Sequence, residues 1–388
     1  MKMKKSVTLG VALAASLGLA FAPSAHAGTT WKTAGATSVS TILDLCKASF
    51  TKATDDDYTI GGGGSSAGKT AIKNKTVDFA FSDSIEASPI DGEIHLPTFV
   101  WPVALLTNLG GTNKPVTLST DTAAKIFAGK ITMWNDPAIV ADNNRTVNTI
   151  VYKKVNGKVA TDAKGNPIVL RTQQTKLYRT MPNKPITVIY RFDGSGTTDN
   201  LTMAMKSLAP SVWSASNSTF ASAFPGGSSA LSNLAGTFRS ATGSSGVALE
   251  ASRTPYSITY AEVGFAAAPY KLGVTSIINK AGNAIVPSAS SAMAAAAQAT
   301  VKSDGTVTFN YNTTDSDAYP FTATTYALAL TNYGDANKAK GIKEALNYIA
   351  YNCAKATAGN PAAEGFGVYT DSNAFAKAFS TQLAKLGK

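Results

Sequence analysis

The sequence predicts an α/β protein of two domains with largely parallel strands. Short β-branched or aromatic runs alternate with helix-spaced segments, as in strand–helix–strand units. Several of these units pass from strand to helix through glycine, serine and threonine. The clearest is Arg191-Phe192-Asp193-Gly194-Ser195-Gly196-Thr197-Thr198, directly after Ile186-Thr187-Val188-Ile189-Tyr190. Finally, of 388 residues, 361 remain beyond a leader-like start, enough for two domains of ordinary size.

That start carries Lys2, Lys4 and Lys5, then an apolar stretch over 7–22, then the small-x-small pattern Ala25-His26-Ala27. Residues 1–27 read as a signal peptide, and cleavage after Ala27 leaves Gly28 first. Gly28 is not Cys, so it offers no lipid acceptor. No later segment approaches a membrane span, the longest apolar stretch being the Ala-rich helix expected over 291–299. The expectation is an exported, soluble protein. Without the three leader lysines the net charge falls from +11 to +8. A basic surface favours anionic ligands without specifying one. The lysines are scattered, with no dense cluster beyond Lys153-Lys154, so no nucleic-acid partner is expected. Cys46 and Cys353 form an even pair, read either as one disulfide or as two buried thiols.

Along the chain, 41–53 has helical spacing, 58–60 reads as a brief strand, and Gly61 to Gly68 as a glycine-rich loop before a short helix at 69–75. Strands are expected at 77–81, ending on Ser82-Asp83-Ser84, and at 99–107. A helix follows at 121–128, stopped by Gly129, and Trp134 anchors the next turn. Residues 143–185 break the alternation. They form an insertion of hairpin strands around Asn156-Gly157 and Lys164-Gly165-Asn166, with no chemistry assigned. Residues 211–249, rich in Ser, Gly and Ala, read as loop with short helices. Strands at 258–265 and 322–330 and amphipathic helices at 336–353 and 372–386 complete the chain.

In sheets of this kind ligands sit beyond the carboxyl ends of the strands. Helix starts there present unpaired N–H groups and a partial positive charge, and so suit anions. Three donor loops lie at such turns, at 35–38, 63–66 and 194–198. Arg191 adds a guanidinium whose fork fits two oxygens of a tetrahedral oxyanion. Asp83 lies at a fourth strand end, where its ordinary role is a helix cap or turn residue. Each loop taken alone also fits an ordinary surface turn.

Two other patterns match by letter only. Gly63-Gly64-Ser65-Ser66-Ala67-Gly68-Lys69-Thr70 fits the nucleotide phosphate-loop pattern. The run before it, Asp55-Asp56-Asp57-Tyr58-Thr59-Ile60, is too polar and short for the buried strand that pattern needs. Gly64-Ser65-Ser66-Ala67-Gly68 fits a serine-nucleophile elbow. A triad then requires His95, the only histidine beyond residue 27, which precedes an apolar strand and reads as packed or exposed. One histidine and no His/Cys cluster argue against a catalytic metal.

Taken in order, the motifs resemble the substrate-binding proteins of high-affinity phosphate ABC transporters, from about Thr33 to the C-terminal helices apart from the insertion. The resemblance is carried by Ala34-Gly35-Ala36-Thr37, Gly62-Gly63-Gly64-Ser65-Ser66, Val77-Asp78-Phe79-Ala80-Phe81-Ser82-Asp83, Ile126-Phe127-Ala128-Gly129-Lys130-Ile131 with Trp134-Asn135-Asp136, the Arg191–Thr197 segment, and Asp317-Ala318-Tyr319-Pro320 with 322–326. It implies a two-lobed periplasmic-binding-protein-like fold with two crossover strands as a hinge. Lobe I would hold 28–107 plus 324–388 and lobe II 108–323. It further implies phosphate contacts at Thr37, Ser38, Ser65, Asp83, Arg191, Ser195, Gly196 and Thr197. Where this chain has Ser38 the family often has an aromatic or aliphatic residue, so Ser38 keeps the contact if the backbone N–H supplies it and loses it if a side chain does. Cys46 and Cys353 would share a lobe, which favours their pairing. The expected protein is a periplasmic monomer without cofactor that delivers phosphate to a membrane permease and catalyses nothing. The alternatives are a secreted phosphatase and a binder of another oxyanion such as sulfate, molybdate or arsenate.

Overall fold

Thr33–Gly35 (β1) and Phe79–Ser82 (β2) pair in parallel, Thr33 opposite Phe79 and Gly35 opposite Phe81. They belong to a computed structural model describing residues 28–388 apart from 111–114, 156–157, 164, 166–167 and 369–373. The expected signal peptide and the hairpin-turn residues Asn156-Gly157, Lys164 and Asn166 lie outside the described residues. Two helices connect β1 to β2. Ser40–Thr54 (α1) buries Ile42, Leu43, Cys46 and Phe50 along one stripe. Ser65–Lys73 (α2) begins earlier than its glycines suggest. Gly68 is a packing residue inside the helix, not a loop residue. A Cβ there would stand 2.6 Å from the Phe81 carbonyl oxygen and 2.8 Å from the Gly35 Cα, so α2 lies against the strands only because the side chain is missing.

Glu93–Asn108 (β3) is the long strand expected over 99–107, and it is buried along nearly its whole length. Pro97 hides its true extent in the sequence. At Pro97 the register slips. Tyr326 faces Pro97 and Thr325 faces Phe99, so Thr98 stands opposite no residue. Pro102 is the last residue paired with the Thr322–Leu330 strand before β3 passes to another partner, so its missing N–H falls at the hand-over.

The insertion is a ribbon. Thr146–Tyr152 (β4) and Val169–Lys176 (β5) pair antiparallel with each other, and neither joins the main sheet. The chain then returns through Thr187–Arg191 (β6), Gly196–Leu208 (α3), Phe238–Ala241 (β7), Gly243–Arg253 (α4) and Ser257–Glu262 (β8). The short helices expected within 211–249 are present at Phe220–Ala223 and Gly227–Ser232, and β7 and α4 add a strand and a longer helix to that reading. β7 is an edge strand with only Phe238 buried, so it lacks the apolar run that marks an interior strand. Trp134 is fully buried, as expected, and donates to the Tyr256 carbonyl at 2.9 Å.

With Thr322–Leu330 as β9, the ten-stranded sheet runs β7-β6-β8-β3-β9-β2-β1, and the Gly273–Ile278 strand pairs onto β3 off this path. The pairs β1/β2, β6/β7 and β6/β8 are parallel, whereas β3 runs antiparallel to both β8 and β9. The sheet is therefore mixed, which corrects the expectation of largely parallel strands. A long strand shared by two halves of a sheet meets strands that run back along it. Residues 93–102 of β3 pair with β9, and 103–108 pair with β8.

Cys46 of α1 is bonded to Cys353 of the long helix Ala336–Ala356 (α5), across 307 residues of sequence. Closing so long a loop removes much freedom from the unfolded chain. Replacing both cysteines by serine is expected to lower stability by about 5 kcal/mol, with the variant still folded at low temperature. Denaturant titration of the variant against the parent measures it.

Candidate oxyanion site

Four helix starts meet where the two halves of the sheet face each other. They are the 3₁₀ turn Thr37–Val39, α2 at Ser65, α3 at Gly196 and α4 at Gly243. Each follows a strand or a glycine-containing turn, so each directs its first N–H groups toward one place. Ser195 caps α3 through a 3.1 Å bond from the Thr198 N–H. Hydrogen bonds cross between the sides. The Ser66 N–H donates to the Gly194 carbonyl at 3.0 Å, and the Ser244 N–H to Thr37 Oγ1 at 3.2 Å. Gly196 lies so close to its neighbours that a Cβ would stand 2.5 Å from Ser65 Oγ and 2.7 Å from Asp83 Cβ.

Asp83 is 3 % exposed and stands at the centre of this crossing. Its Oδ1 accepts from Ser38 Oγ at 2.7 Å and from Thr325 Oγ1 at 2.6 Å. Its Oδ2 receives a single long bond of 3.4 Å from Thr197 Oγ1. The Asp83 N–H donates to Ser65 Oγ, and Asn200 Nδ2 donates to the Asp83 carbonyl. Burial pushes the Asp83 carboxyl above its ordinary range, opposed by the Thr325 and Ser38 hydroxyls, the Arg191 charge and the Thr197 hydroxyl. One oxygen is thus anchored, and the other retains capacity to accept a hydrogen bond. The Ser38 hydroxyl is committed to Asp83, which leaves its N–H as the group able to face a ligand.

Arg191, 1 % exposed, ends β6. Its guanidinium does not stand free as the sequence suggested. Nε donates to Asp193 Oδ1 at 2.7 Å, Nη2 donates to Asp193 Oδ2, and Nη1 donates to Ser244 Oγ at 3.2 Å. The Gly243 N–H also donates to Asp193 Oδ1, at 3.0 Å. Of five N–H bonds, one on each terminal nitrogen remains for a guest. Burial works to lower the Arg191 pKa, and the Asp193 hydrogen bonds and charge outweigh it, so the group stays cationic. Asp193 is held below the ordinary carboxylate range. Burial opposes that shift, and the bonds from Arg191 overcome it.

A third acid, Glu262, ends β8 at 3 % exposure. Its Oε1 accepts from Ser244 Oγ at 3.3 Å, and its Oε2 is buried without a hydrogen-bond partner among the described residues. Burial, then the charge of Asp83, push its pKa up to about 7 against the attraction of Arg191. A carboxyl whose folded pKa is raised adds stability that is complete below its unfolded value of 4.5 and is lost as pH rises through about 7. Glu262→Gln is expected to remove on the order of 3 kcal/mol of stability change across that window, flattening the curve of unfolding free energy against pH.

The sequence-predicted residues Thr37, Ser38, Ser65, Asp83, Arg191, Ser195, Gly196 and Thr197 are brought together here. Sequence reasoning missed Asp193, Gly243, Ser244, Glu262 and Thr325. Thr242-Gly243-Ser244-Ser245-Gly246 repeats the composition of the other donor loops and was the available signal. Thr325 points at Asp83 from the place where the β3/β9 register slips, a feature with no signature in the sequence.

The two letter matches dissolve. Lys69 Nζ donates to Ser84 Oγ and the Ile85 carbonyl, away from any phosphate loop. His95 is buried, its Nε2 accepting from the Glu86 N–H at 3.0 Å, and burial lowers its pKa. Among the described residues no group of three or more His, Cys, Asp or Glu side chains is arranged to hold a metal, and no helix is long and apolar enough to cross a membrane.

A family model described as a PBP superfamily domain matches residues 21–373. The chain belongs to the PBP superfamily. Within that superfamily it is 28 % identical over 306 residues to Phosphate-binding protein PstS 2 of Mycobacterium tuberculosis, covering 74 % of this chain and 69 % of that one. It is 29 % identical over 270 residues to Phosphate-binding protein PstS of Pasteurella multocida, covering 68 % of this chain and 65 % of the relative. Among solved structures it superposes on a phosphate-binding protein from Stenotrophomonas maltophilia with a TM-score of 0.60 at 18 % identity, over 91 % of this chain and 94 % of that one. A high-affinity periplasmic phosphate-binding protein (PfluDING) bound with phosphate gives 0.59 at 20 % identity, over 92 % and 99 %. At these identities the superpositions establish the two-lobed α/β fold of this PBP-superfamily chain.

Proposed function

We propose that this chain binds inorganic phosphate between two lobes, outside the cytoplasm, and delivers it to an ABC-type importer. The observation that carries this reading is Asp83 Oδ2. It is a buried carboxylate oxygen with spare acceptor capacity, set among four helix starts and beside a buried guanidinium. Phosphate near neutral pH keeps a proton and can donate it to Oδ2. Sulfate has none and would meet a charged acceptor unpaired. The amides of Ser38, Gly196 and Thr197, with the hydroxyls of Thr37, Ser65 and Ser195, complete the proposed shell around the remaining oxygens, and Arg191 supplies the opposing charge.

The lobes are read as 28–107 plus 324–388 and 108–323, hinged at β3 and β9. Closing them around the anion is what a permease at the membrane would recognise. Relatives named as phosphate-binding proteins support the reading. The site is read as binding without catalysis, by a monomer. Ser65 Oγ and Ser195 Oγ accept from backbone N–H groups, and neither is bonded to a general base.

Anion competition across pH, on protein stripped of bound ligand, tests it. Phosphate and arsenate should compete and sulfate should not. Equal competition by sulfate would overturn the role of Asp83, and turnover of a chromogenic phosphate ester would overturn the reading as a binder.

A further inference from the structure

Residues 28–388 carry 32 Lys and Arg against 24 Asp and Glu, a net +8. Residues 143–185 alone carry nine against one, which is also +8, so the other residues balance at 23 against 23. Charges that look scattered along the sequence are gathered onto the β4/β5 ribbon and its roots. β4 and β5 pair with each other and not with the ten-stranded sheet, and the Lys154–Val155 and Lys158–Val159 strands pair beyond them. At the root, Asn144 donates to the Arg179 carbonyl and accepts from its N–H, and Arg145 donates to the Gly282 carbonyl.

We propose that this ribbon holds the protein against an anionic phospholipid surface. Lys153, Arg171, Lys176 and Lys184 are exposed. Among them stand large apolar side chains in water, with Val169 at 51 %, Leu170 at 62 % and Tyr178 at 79 % exposure. Basic residues with interspersed aliphatic and tyrosine side chains suit a headgroup layer. The cations meet lipid phosphates, the tyrosine sits at headgroup depth, and the aliphatics enter the acyl boundary. A nucleic acid would use the charge but leave Val169 and Leu170 without a partner. A two-stranded ribbon is marginal on its own in water, and a surface that covers it adds the burial it lacks. The ribbon is a separate element from the oxyanion site, so the inference stands whichever anion that site takes.

Sedimentation of the 28–388 chain with vesicles of phosphatidylglycerol mixed with phosphatidylcholine, against phosphatidylcholine alone, measures it. Binding is expected only to the anionic vesicles and should weaken as salt rises. The triple variant Lys153→Glu/Arg171→Glu/Lys176→Glu should bind about a hundredfold more weakly or worse. A second variant, Val169→Ser/Leu170→Ser/Tyr178→Ser, should lose about tenfold or more with its salt dependence intact. Both should retain the parent's melting temperature and anion affinity at the oxyanion site, which shows that they fold. Equal sedimentation with both vesicle types, or parental binding by the charge variant, overturns the proposal. So does capture of duplex DNA without capture of vesicles.

Discussion

Arg191→Ala is expected to weaken phosphate binding by about 3–5 kcal/mol, the scale for removing one member of a buried, hydrogen-bonded charge pair. Two losses combine. The guest loses its opposing charge, and Asp193 keeps a negative charge in a half-buried place with only backbone N–H groups, its own and that of Gly243, to satisfy it. The like charge then faces the incoming anion. Arg191→Lys should recover only part of the affinity, because an ammonium cannot hold Asp193 through two parallel bonds while also reaching Ser244 and the guest. Asp193→Asn separates the two effects. It removes the like charge while leaving the guanidinium, so its loss of affinity should be much smaller than that of Arg191→Ala. Titration calorimetry on the three variants decides it, and near-parental affinity in Arg191→Ala would remove the arginine from the site.

The donor loops were legible because their chemistry is local. A strand that runs into Gly, Ser and Thr specifies a helix start wherever it occurs, and that pattern placed the donor loops at 35–38, 63–66 and 194–198, within which the family resemblance singled out Ser65, Ser195 and Thr197. The fourth start, at Gly243, was hidden by the weakness of the strand before it. β7 lies at the sheet edge and buries only Phe238. The length of β3 was hidden because Pro97 reads as a break, while Pro102 lies inside the strand expected over 99–107. Both are tolerated by tertiary features, a slip in register and a change of partner strand. Glu262 and Thr325 lie inside ordinary strand patterns, and nothing local separates them from packing residues. Their meaning comes from contacts across long stretches of sequence, Thr325 with Asp83 and Glu262 with Ser244. The antiparallel crossing of β3 and β9 is likewise a property of the closed sheet and not of either segment. Arg191 was read as a strand-end guanidinium offering its fork to an anion, and its engagement with Asp193, two residues on, was not anticipated. Next to a Gly-Ser turn the sequence shows a free fork, whereas burial of a guanidinium requires a permanent counter-charge.

Asp83→Asn tests recognition of the guest's proton. An amide at this position can still accept from Ser38 and Thr325 through its oxygen, so the local geometry and stability should hold. The other atom of the group changes from acceptor to donor where Oδ2 faces the guest. A protonated phosphate would then meet donor against donor and lose about 2 kcal/mol of binding, the scale of a hydrogen bond to a charged group. A fully deprotonated oxyanion gains, since a repelling carboxylate is replaced by an amide N–H. The discrimination between phosphate and sulfate should therefore move by on the order of 4 kcal/mol in total, most of it visible as sulfate binding that the parent lacks. The guest keeps one proton as monohydrogen phosphate well above neutral pH, so the parent should prefer phosphate over sulfate at neutral and mildly alkaline pH alike. In Asp83→Asn that preference should shrink at both. Unchanged selectivity would reduce Asp83 to a structural residue and return the oxyanion specificity to the helix starts and Arg191 alone.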